Sequence, residues 1–389
     1  MAGTDKVDLA SITDRGSWEA VVAGCRVRFG AGARDATPQI VVGLGSRRPM
    51  LFTDPGVRAT ERVDELAERL AHSGLRPAVF AQVCENPTTD TVIAATQAAL
   101  EHKTDLLIGF GGGSSMDTAK GVNFLLTNGG RMEDYQGVDR ATEPMLPSIG
   151  IPTTAGTGSE AQRFALIARV KDRRKMACGD AKARFGHVIL DPELTATVPR
   201  PVAVATGIDA LTHAIESHVS LRANPLSRQF SLQAWRLLSG SFEDSLRADA
   251  GLGTRSRMLL GAHLAGVAIE SSMLGAAHAG ANPLTAHLEL THGVAVGLLI
   301  AHVVRFNAEV AADTYAELAA ATEPEPAPIT ATLDRLLAAS GLPLRLRDHG
   351  VQPRDLGSLA AHAATQWTAS FNPRPVGEAD LRGIYEAAY

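Results

Sequence analysis

Four side chains of the types that bind metals stand out in the second half of the sequence. Asp209 and His213 lie four residues apart in the helix-forming run GIDALTHAIESH, so a helix would place both on one face, one turn apart. His278 in GAAHAGAN and His292 in LTHGVAVG supply two further imidazoles. One carboxylate and three imidazoles would bind Fe²⁺ or Zn²⁺ and leave a coordination position for a substrate. We therefore predict a catalytic metal site, against the alternative that these groups recur by chance in a chain with 12 histidines.

A glycine-rich turn in the first half could bind a phosphate group. The apolar run LLIGF, residues 106–110, leads directly into GGGSSMDTAK, so a buried strand is followed by three glycines and a helix. Backbone N–H groups are accessible in such a turn, and the start of a helix favours negative charge. The predicted phosphate-binding residues are Gly111, Gly112, Gly113, Ser114 and Ser115, with Asp117 as a further cofactor-binding residue. The alternative is a simple tight turn.

The elements around these motifs predict two domains, since 389 residues exceed one ordinary core. Residues 1–199 alternate short apolar runs with helical patterns, which predicts an α/β domain with a parallel sheet and flanking helices. Residues 200–389 show Ala/Leu-rich helical periodicity, which predicts an all-α domain with a surface loop at EPEPAP, residues 323–328. The predicted strands cover residues 50–53, 78–83, 106–110, 146–151, 164–168 and 188–190.

Composition excludes several classes of protein. With 45% hydrophobic and 20% charged residues, the chain is typical of globular proteins, and its net charge of −5 argues against a nucleic-acid partner. The longest apolar run, residues 294–300, is too short to cross a membrane, and the N-terminus lacks a signal peptide. Cys25, Cys84 and Cys178 are odd in number and far apart, which indicates a reducing compartment. We expect a cytoplasmic protein.

The glycine turn, the loop PTTAGTGSE at residues 152–160 and the two ligand pairs together resemble the iron-containing (group III) alcohol dehydrogenases. The resemblance extends from RFGAGA, residues 28–33, to NPRPV, residues 372–376. It implies a nucleotide-binding α/β domain, a helical metal-binding domain of the dehydroquinate synthase-like fold, and an active site in the cleft between them. It also implies that the glycine turn binds the pyrophosphate of NAD(H), and that Asp209, His213, His278 and His292 hold Fe²⁺ or Zn²⁺.

Further cofactor-binding residues follow from the same resemblance. Thr153, Thr154 and Thr157 match residues that border the adenine and nicotinamide ends, and Lys175 matches a lysine that contacts the cofactor. Asp54 lies where the family chooses between NAD and NADP. A carboxylate there can accept hydrogen bonds from the ribose hydroxyls and would repel a 2′-phosphate, which favours NAD. The alternative is that Asp54 caps the turn before Pro55.

The sequence departs from the family at a position linked to proton transfer. Many members carry a histidine four residues after the third ligand, whereas this chain has Asn282. An amide does not titrate near neutral pH, so another group must supply the proton. His287, nine residues after His278, is the nearest titratable side chain in sequence. We predict either His287 or water relayed by the ribose hydroxyls as the donor, with a surface or packed histidine as the alternative reading of His287.

The resulting prediction is an enzyme for reversible hydride transfer between NAD(H) and a small aldehyde or alcohol, with the metal as Lewis acid. The alternatives are a polyol dehydrogenase, a hydroxyacid–oxoacid transhydrogenase or a cyclase of the same fold, and, from another class, a non-catalytic NAD-binding protein with a structural metal. We expect a homodimer or larger homo-oligomer. Clustered basic residues suggest an anionic substrate or else a solvated loop: Arg163, Arg173, Arg174, Lys175 and Arg184.

Overall fold

The computed structural model describes residues 16–171 and 174–389, and the described chain divides into two compact units between Pro199 and Arg200. The unit at residues 17–199 is α/β and the unit at residues 200–389 is helical, so the predicted fold class is confirmed. Residues 1–15, which we assigned to the first domain, lie outside the described residues.

The α/β unit contains a large sheet flanked by helices and a small second sheet. Its strands are β1 (Trp18–Val22), β2 (Cys25–Phe29), β3 (Pro49–Phe52), β4 (Ala78–Phe80), β5 (Leu106–Gly111), β6 (Gly137–Val138), β7 (Ser148–Pro152), β8 (Phe164–Ala168), β9 (Lys175–Gly179) and β10 (His187–Leu190). Its helices are α1 (Thr37–Gly43), α2 (Pro55–Arg58), α3 (Arg62–His72), α4 (Thr89–His102) and α5 (Gly113–Asn128). The large sheet has the order β1-β2-β10-β7-β5-β3-β4, and the small one the order β6-β9-β8.

The large sheet is parallel from β2 to β4, and the predicted parallel sheet is present there. All six residues of β5 are buried, as expected for a central parallel strand covered on both faces. Val63, Leu66 and Leu70 form the buried stripe of α3 and join the same core. Thr88 caps α4 by accepting a hydrogen bond from the Thr91 N–H at 3.2 Å.

Four strands were missed by the sequence prediction: β1, β2, the two-residue β6 and β9. Strands β1 and β2 form an antiparallel hairpin whose two turn residues, Ala23 and Gly24, both have positive φ. Such a turn normally contains Asn or Asp before Gly, so the Ala-Gly pair gives a weak signal. Strand β9 pairs antiparallel with β8, and its short sequence KMACG lacks a clear alternation of apolar and polar residues.

The helical unit consists of nine α-helices within the described part of residues 200–389. They are α6 (Arg200–Val219), α7 (Pro225–Ser239), α8 (Phe242–Ser245), α9 (Leu252–Ser272), α10 (Ala276–Leu288), α11 (His292–Ala320), α12 (Ile329–Ser340), α13 (Leu356–Ala364) and α14 (Glu378–Ala388). Helix α6 is buried along most of its length and packs against α7, α9 and α11. Residues 323–328 form the predicted loop.

Helix α11 extends well beyond the apolar run at residues 294–300, which we judged too short to cross a membrane, and so corrects that judgement. By length and composition it could cross a membrane, because alanine and valine continue the apolar character beyond residue 300. The bent pair α9 and α10, which meet at 104°, passes the same test only if it is counted as one span. In this structure most of the apolar part of α11 is buried, as in the core helix of a folded domain.

Candidate active site

Asp209 and His213 lie one turn apart on the buried face of α6. The side chains of both are almost fully buried, and His213 Nε2 is 3.4 Å from Asp209 Oδ1. An apolar helix can hold these polar groups in its interior only if they find partners, since an unpartnered buried charge is costly.

Two more helices bring the remaining predicted ligands to Asp209. His278 lies in the first turn of α10, and His292 is the first residue of α11. Ligand atoms of Asp209, His278 and His292 all lie within 4.8 Å of one another. The His213 ring stacks on that of His278 with centroids 4.8 Å apart. The structure therefore brings all four predicted ligands together.

The donor atoms of this cluster fit a divalent first-row metal. Asp209 Oδ1 and His278 Nε2 lie 3.3 Å apart, yet in the described structure neither of these buried atoms makes a hydrogen bond. A carboxylate oxygen together with imidazole nitrogens suits iron or zinc. Burial opposes the charge on Asp209, but the surrounding histidines outweigh it and hold its pKa below the ordinary value, so the ligand is ionised.

Glu216 is a functional residue that the sequence analysis missed. Its Oε2 lies 2.6 Å from His278 Nδ1, and both side chains are buried. Burial lowers the pKa of His278, but the carboxylates of Asp209 and Glu216 outweigh it and raise the pKa to about 9. The signal was available, because Glu216 follows Asp209 by seven residues and His213 by three in the same motif and so shares their helix face.

His287 does not join the metal cluster. It is exposed near the end of α10, and its Nε2 is 2.8 Å from His362 Nδ1. On a regular helix its Cα would lie about 13 Å along the axis from that of His278. Asn282, one turn after His278, donates from its side chain to Gln366 Oε1 at 3.1 Å. The structure gives no support for His287 as the proton donor and corrects that assignment.

The predicted phosphate turn lies at the carboxyl end of β5 and opens α5. Gly111 has φ 152°, which L side chains rarely adopt, and a Cβ there would collide with Ser115. A Cβ on Gly113 would lie 2.8 Å from Thr157 Cγ2, so the PTTAGTGSE loop packs directly against the turn. Two of the three glycines are therefore required by geometry, and Gly112 and Gly113 are partly exposed at the start of α5.

Several polar groups are gathered around this turn. The hydroxyls of Ser115 and Thr153 are buried without hydrogen-bond partners in the described residues, which suits groups that bond to a nucleotide. The Ser114 hydroxyl accepts from the Asn86 N–H at 3.3 Å. Asp54 Oδ1 caps α2 by accepting from the Val57 N–H at 2.9 Å. Its Oδ2 lies 3.4 Å from the position that a Cβ on Gly111 would occupy, so both alternatives weighed for Asp54 are compatible with its position.

Asp117 lies in the interior, which corrects its assignment to cofactor binding. Ser159 Oγ donates to its Oδ1 at 2.5 Å, and Lys120 Nζ lies 3.5 Å from the same oxygen. Lys120 donates to Ser159 O at 2.7 Å, Ser159 Oγ at 2.9 Å and Phe164 O at 2.6 Å. Helical spacing places Asp117 one turn after Gly113, and its carboxylate is bound by Ser159 and Lys120, so the motif gave the residue type but not its partners. Asp117 and Lys120 hold the PTTAGTGSE loop against α5.

The remaining predicted cofactor-binding residues are Thr154 and Thr157 in the PTTAGTGSE loop and Lys175 in β9. Thr154 Oγ1 lies 3.5 Å from a Cβ built on Gly112, and Thr157 Oγ1 accepts from the Ser159 N–H at 3.3 Å. Lys175 begins β9 opposite Ala168 in the small sheet. Of the predicted basic cluster, Arg184 donates to the Ala23 carbonyl, and Arg173 lies outside the described residues.

Comparisons with known proteins agree with this arrangement. The family model for iron-containing alcohol dehydrogenase matches residues 25–192, and the C-terminal model of the same family matches residues 203–389. The chain is 31% identical to NAD-dependent methanol dehydrogenase of Bacillus methanolicus, over 89% of this chain and 93% of that protein. It is 32% identical to 1,3-propanediol dehydrogenase of Citrobacter freundii, over 89% and 92%. A crystal structure of 1,3-propanediol oxidoreductase superposes with a TM-score of 0.90 at 30% identity, covering 93% of this chain and 97% of that one.

Proposed function

The chain belongs to the iron-containing alcohol dehydrogenase family, and we propose that it transfers a hydride reversibly between NAD(H) and a small aldehyde or alcohol. One observation carries this proposal: three helices bring one carboxylate and three imidazoles together in the helical unit. The unsatisfied Asp209 oxygen and His278 nitrogen are the atoms that such a centre would use.

The cofactors supply chemistry that these side chains lack. When bound, Fe²⁺ or Zn²⁺ polarises a substrate oxygen as a Lewis acid, and NAD(H) provides or accepts the hydride. Asp209, His213, His278 and His292 would hold the metal. The glycine turn, with the Ser115 and Thr153 hydroxyls, would hold the pyrophosphate, because its backbone N–H groups and the start of α5 favour a negative charge.

We propose that water relayed by the ribose hydroxyls supplies the proton. Reduction of an aldehyde requires a proton on the substrate oxygen, and the Asn282 amide cannot provide one near neutral pH. His287 is exposed and bonded to His362 rather than placed beside the metal ligands. We favour aldehyde reduction as the physiological direction, since the equilibrium at neutral pH favours the alcohol.

We also propose that the protein is cytoplasmic and forms a homodimer or larger homo-oligomer without nucleic-acid or membrane partners. Its three cysteines are free. Burial raises the pKa of the Cys25 and Cys178 thiols to about 12, so both stay protonated and unreactive. The net charge of −5 supports the absence of a nucleic-acid partner. Light scattering would test the assembly state.

The activity is tested with purified protein loaded with Fe²⁺ or Zn²⁺. Oxidation of NADH is followed with neutral and anionic aldehydes of matched size, and chelator-treated protein serves as the control. Asp209→Ala should reduce turnover by more than the 10- to 100-fold that loss of an outer partner costs. Equal turnover before and after both chelation and ligand removal would contradict the metal's role. A preference for anionic aldehydes would support the basic cluster as a substrate determinant.

A further inference from the structure

We propose that Glu216 is a positioning residue for the metal centre: its carboxylate holds His278 in the tautomer and orientation in which Nε2 is the metal-binding atom. This inference rests on the proposed function, because it presumes that His278 binds a metal. Nothing in the sequence analysis or the comparisons assigns a role to Glu216.

Glu216 makes three short contacts, all within the helical unit. Its Oε2 is 2.6 Å from His278 Nδ1 and 3.0 Å from the Gly275 nitrogen, and its Oε1 is 2.7 Å from the Ala277 nitrogen. A Cβ on Gly275 would lie 3.0 Å from Glu216 Oε1, which is tighter than most real contacts. Glycine at this position therefore lets the carboxylate approach the start of α10.

These contacts determine which nitrogen of His278 carries the proton. The two backbone N–H groups can only donate, so the carboxylate acts as an acceptor at this position. Nδ1 must then donate to Oε2, so Nε2 is the nitrogen that gives up its proton and supplies a lone pair when a metal binds. Nε2 is also the nitrogen that lies 3.3 Å from Asp209 Oδ1, on the side of the predicted metal. A metal ligand needs that lone pair.

The backbone at the start of α10, which carries His278, is also held by the side chain of Asn372. Asn372 Oδ1 accepts from the Ala276 N–H at 3.2 Å, and its side chain exchanges two hydrogen bonds with Asn307. The N–H groups of residues 275, 276 and 277 thus all have side-chain acceptors immediately before His278. By contrast, the contact from His292 Nδ1 to Thr285 Oγ1 is 3.5 Å long and involves a neutral hydroxyl.

Glutamine is the informative replacement, because it keeps the shape of Glu216 and replaces one carboxylate oxygen, which accepts hydrogen bonds, by an amide nitrogen, which only donates them. In Glu216→Gln, one oxygen can still accept from a backbone N–H. If the amide oxygen lies at the Oε2 position, His278 Nδ1 keeps only a neutral acceptor in place of a carboxylate. If the amide nitrogen lies there, His278 either loses its partner or accepts at Nδ1 and places its proton on Nε2. Either change weakens His278 as a ligand. If Glu216 only capped α10, folding stability would fall while metal affinity would not.

Glu317, a half-exposed residue of α11, offers a control. Its Oε2 lies 3.3 Å from Nε2 of His218, a buried histidine of α6 that is not a predicted ligand. Glu317→Gln therefore also removes a carboxylate next to a buried histidine of α6. It should leave the metal ligands unaffected.

The experiment measures Zn²⁺ affinity of the full chain by competition with a chromogenic chelator, and the visible absorption of the Co²⁺-loaded protein. We expect the Zn²⁺ Kd of Glu216→Gln to rise 10- to 100-fold, with an altered Co²⁺ spectrum. Glu317→Gln should stay within about threefold of the parent. In a His278→Ala background, Glu216→Gln should add almost nothing, because the coupling runs through His278.

Glu216→Asp covers the case in which the glutamine variant does not fold. Aspartate keeps the charge at the start of α10 but withdraws the carboxylate from Nδ1, so its Zn²⁺ Kd should also rise. An unchanged Kd in either folded variant, or an equal loss with His278 already removed, would overturn the positioning role. If the unaltered chain bound no Zn²⁺, the proposed metal centre itself would be wrong, which is a distinct result.

Discussion

Asp54 uses its two carboxylate oxygens differently. One oxygen caps the short helix α2, and the other lies beside Gly111 of the phosphate turn. From the sequence, capping the turn and discriminating between NAD and NADP were alternatives, but the position of Asp54 is compatible with both roles at once. The cap tolerates any side-chain oxygen at this position, whereas discrimination against a 2′-phosphate requires the negative charge.

The Asp54→Asn variant separates the cap from the charge. The amide oxygen can still accept from the Val57 N–H, so the turn should persist, while repulsion of a 2′-phosphate is lost. We expect the ratio of kcat/KM for NAD to that for NADP to fall by about tenfold, or about 1.4 kcal/mol. Asp64→Asn, at an exposed carboxylate of α3, is the control and should not change the ratio. A parent protein that prefers NADPH would refute the argument.

Asn282 provides no titratable group one turn after the predicted ligand His278. Its side chain donates to Gln366. Asn282→His should add an ionisation near pH 6.5 to the pH profile of aldehyde reduction. His287→Ala should leave the profile unchanged, because that ring is exposed and paired with His362. A flattened profile in His287→Ala would restore it as the proton donor.

Helix α6 carries a second buried histidine on its other side, with consequences for stability. His218 Nδ1 is 2.8 Å from Ser231 Oγ of α7, and Nε2 is 3.3 Å from Glu317 of α11. Burial lowers the pKa of His218 to about 4, against the attraction of Glu317 and with a smaller contribution from Arg228. The charged imidazole is therefore disfavoured where these three helices pack.

This pKa predicts that acid destabilises the helical unit. The unfolded chain binds the His218 proton below about pH 6.5, whereas the folded chain binds it only below about pH 4. Between these values the unfolded state holds more protons, so the free energy of unfolding falls as the pH decreases, by on the order of 3 kcal/mol. Guanidinium unfolding of chelator-treated parent and His218→Gln should show a smaller loss in the variant. Parallel pH dependences would contradict this assignment.

The sequence predicted most of the elements that carry the site but not every direction within them. LLIGF and its glycines gave β5 and the start of α5, because a buried strand followed by glycines has few other readings. The β1–β2 hairpin was missed because Ala23 occupies a turn position that usually requires Asn or Asp. Asp117 was assigned to the cofactor because its motif shows residue types, whereas the packing of Ser159 and Lys120 around it depends on a distant loop.

For the metal ligands too, contacts within one helix could be predicted from the sequence, whereas contacts between helices could not. Helical spacing places Asp209 and His213 together, and that much is local. The approach of His278 and His292 depends on how α10 and α11 pack on α6, which the resemblance supplied and periodicity did not. Glu216 was within the quoted motif, but its role became visible only when the start of α10 was seen against it.

Lys120 gives a prediction about the loop that packs on the glycine turn. In Lys120→Met, Ser159 and Phe164 lose a donor and the Asp117 charge loses its cation, and breaking a buried pair of this kind costs about 3–5 kcal/mol. The loosened loop should raise the Kd for NADH by about tenfold or more, measured by fluorescence titration, and the Kd for NAD⁺ likewise, measured by its competition with NADH. Lys182→Met, which removes a half-exposed lysine bonded to Asp180 and Ala141, is the control and should have little effect.

At the scale of the whole molecule, the groups for the two cofactors come from different units. All four metal ligands belong to residues 200–389, and the glycine turn with its supporting loop belongs to residues 17–199. Each set of contacts is built from its own unit's helices and strands. We therefore expect loss of one set to leave the contacts within the other unit in place.

The last prediction is that each of two variants weakens binding at one of these sites and leaves binding at the other intact. His278→Ala should abolish tight Zn²⁺ binding and leave the NAD⁺ Kd within about threefold of the parent. Lys120→Met should weaken NAD⁺ and leave the Zn²⁺ Kd within the same margin. Binding at 100 times Kd stabilises a protein by about 2.7 kcal/mol, so Zn²⁺ should raise the Tm of Lys120→Met but not that of His278→Ala. At the same NAD⁺ concentration a tenfold weaker site gains only about 1.4 kcal/mol, so NAD⁺ should raise the Tm of His278→Ala more than that of Lys120→Met. If His278→Ala weakened NAD⁺ by more than tenfold while its far-UV spectrum stayed unchanged, the two sites would be energetically coupled and the assignment of independent units would be wrong.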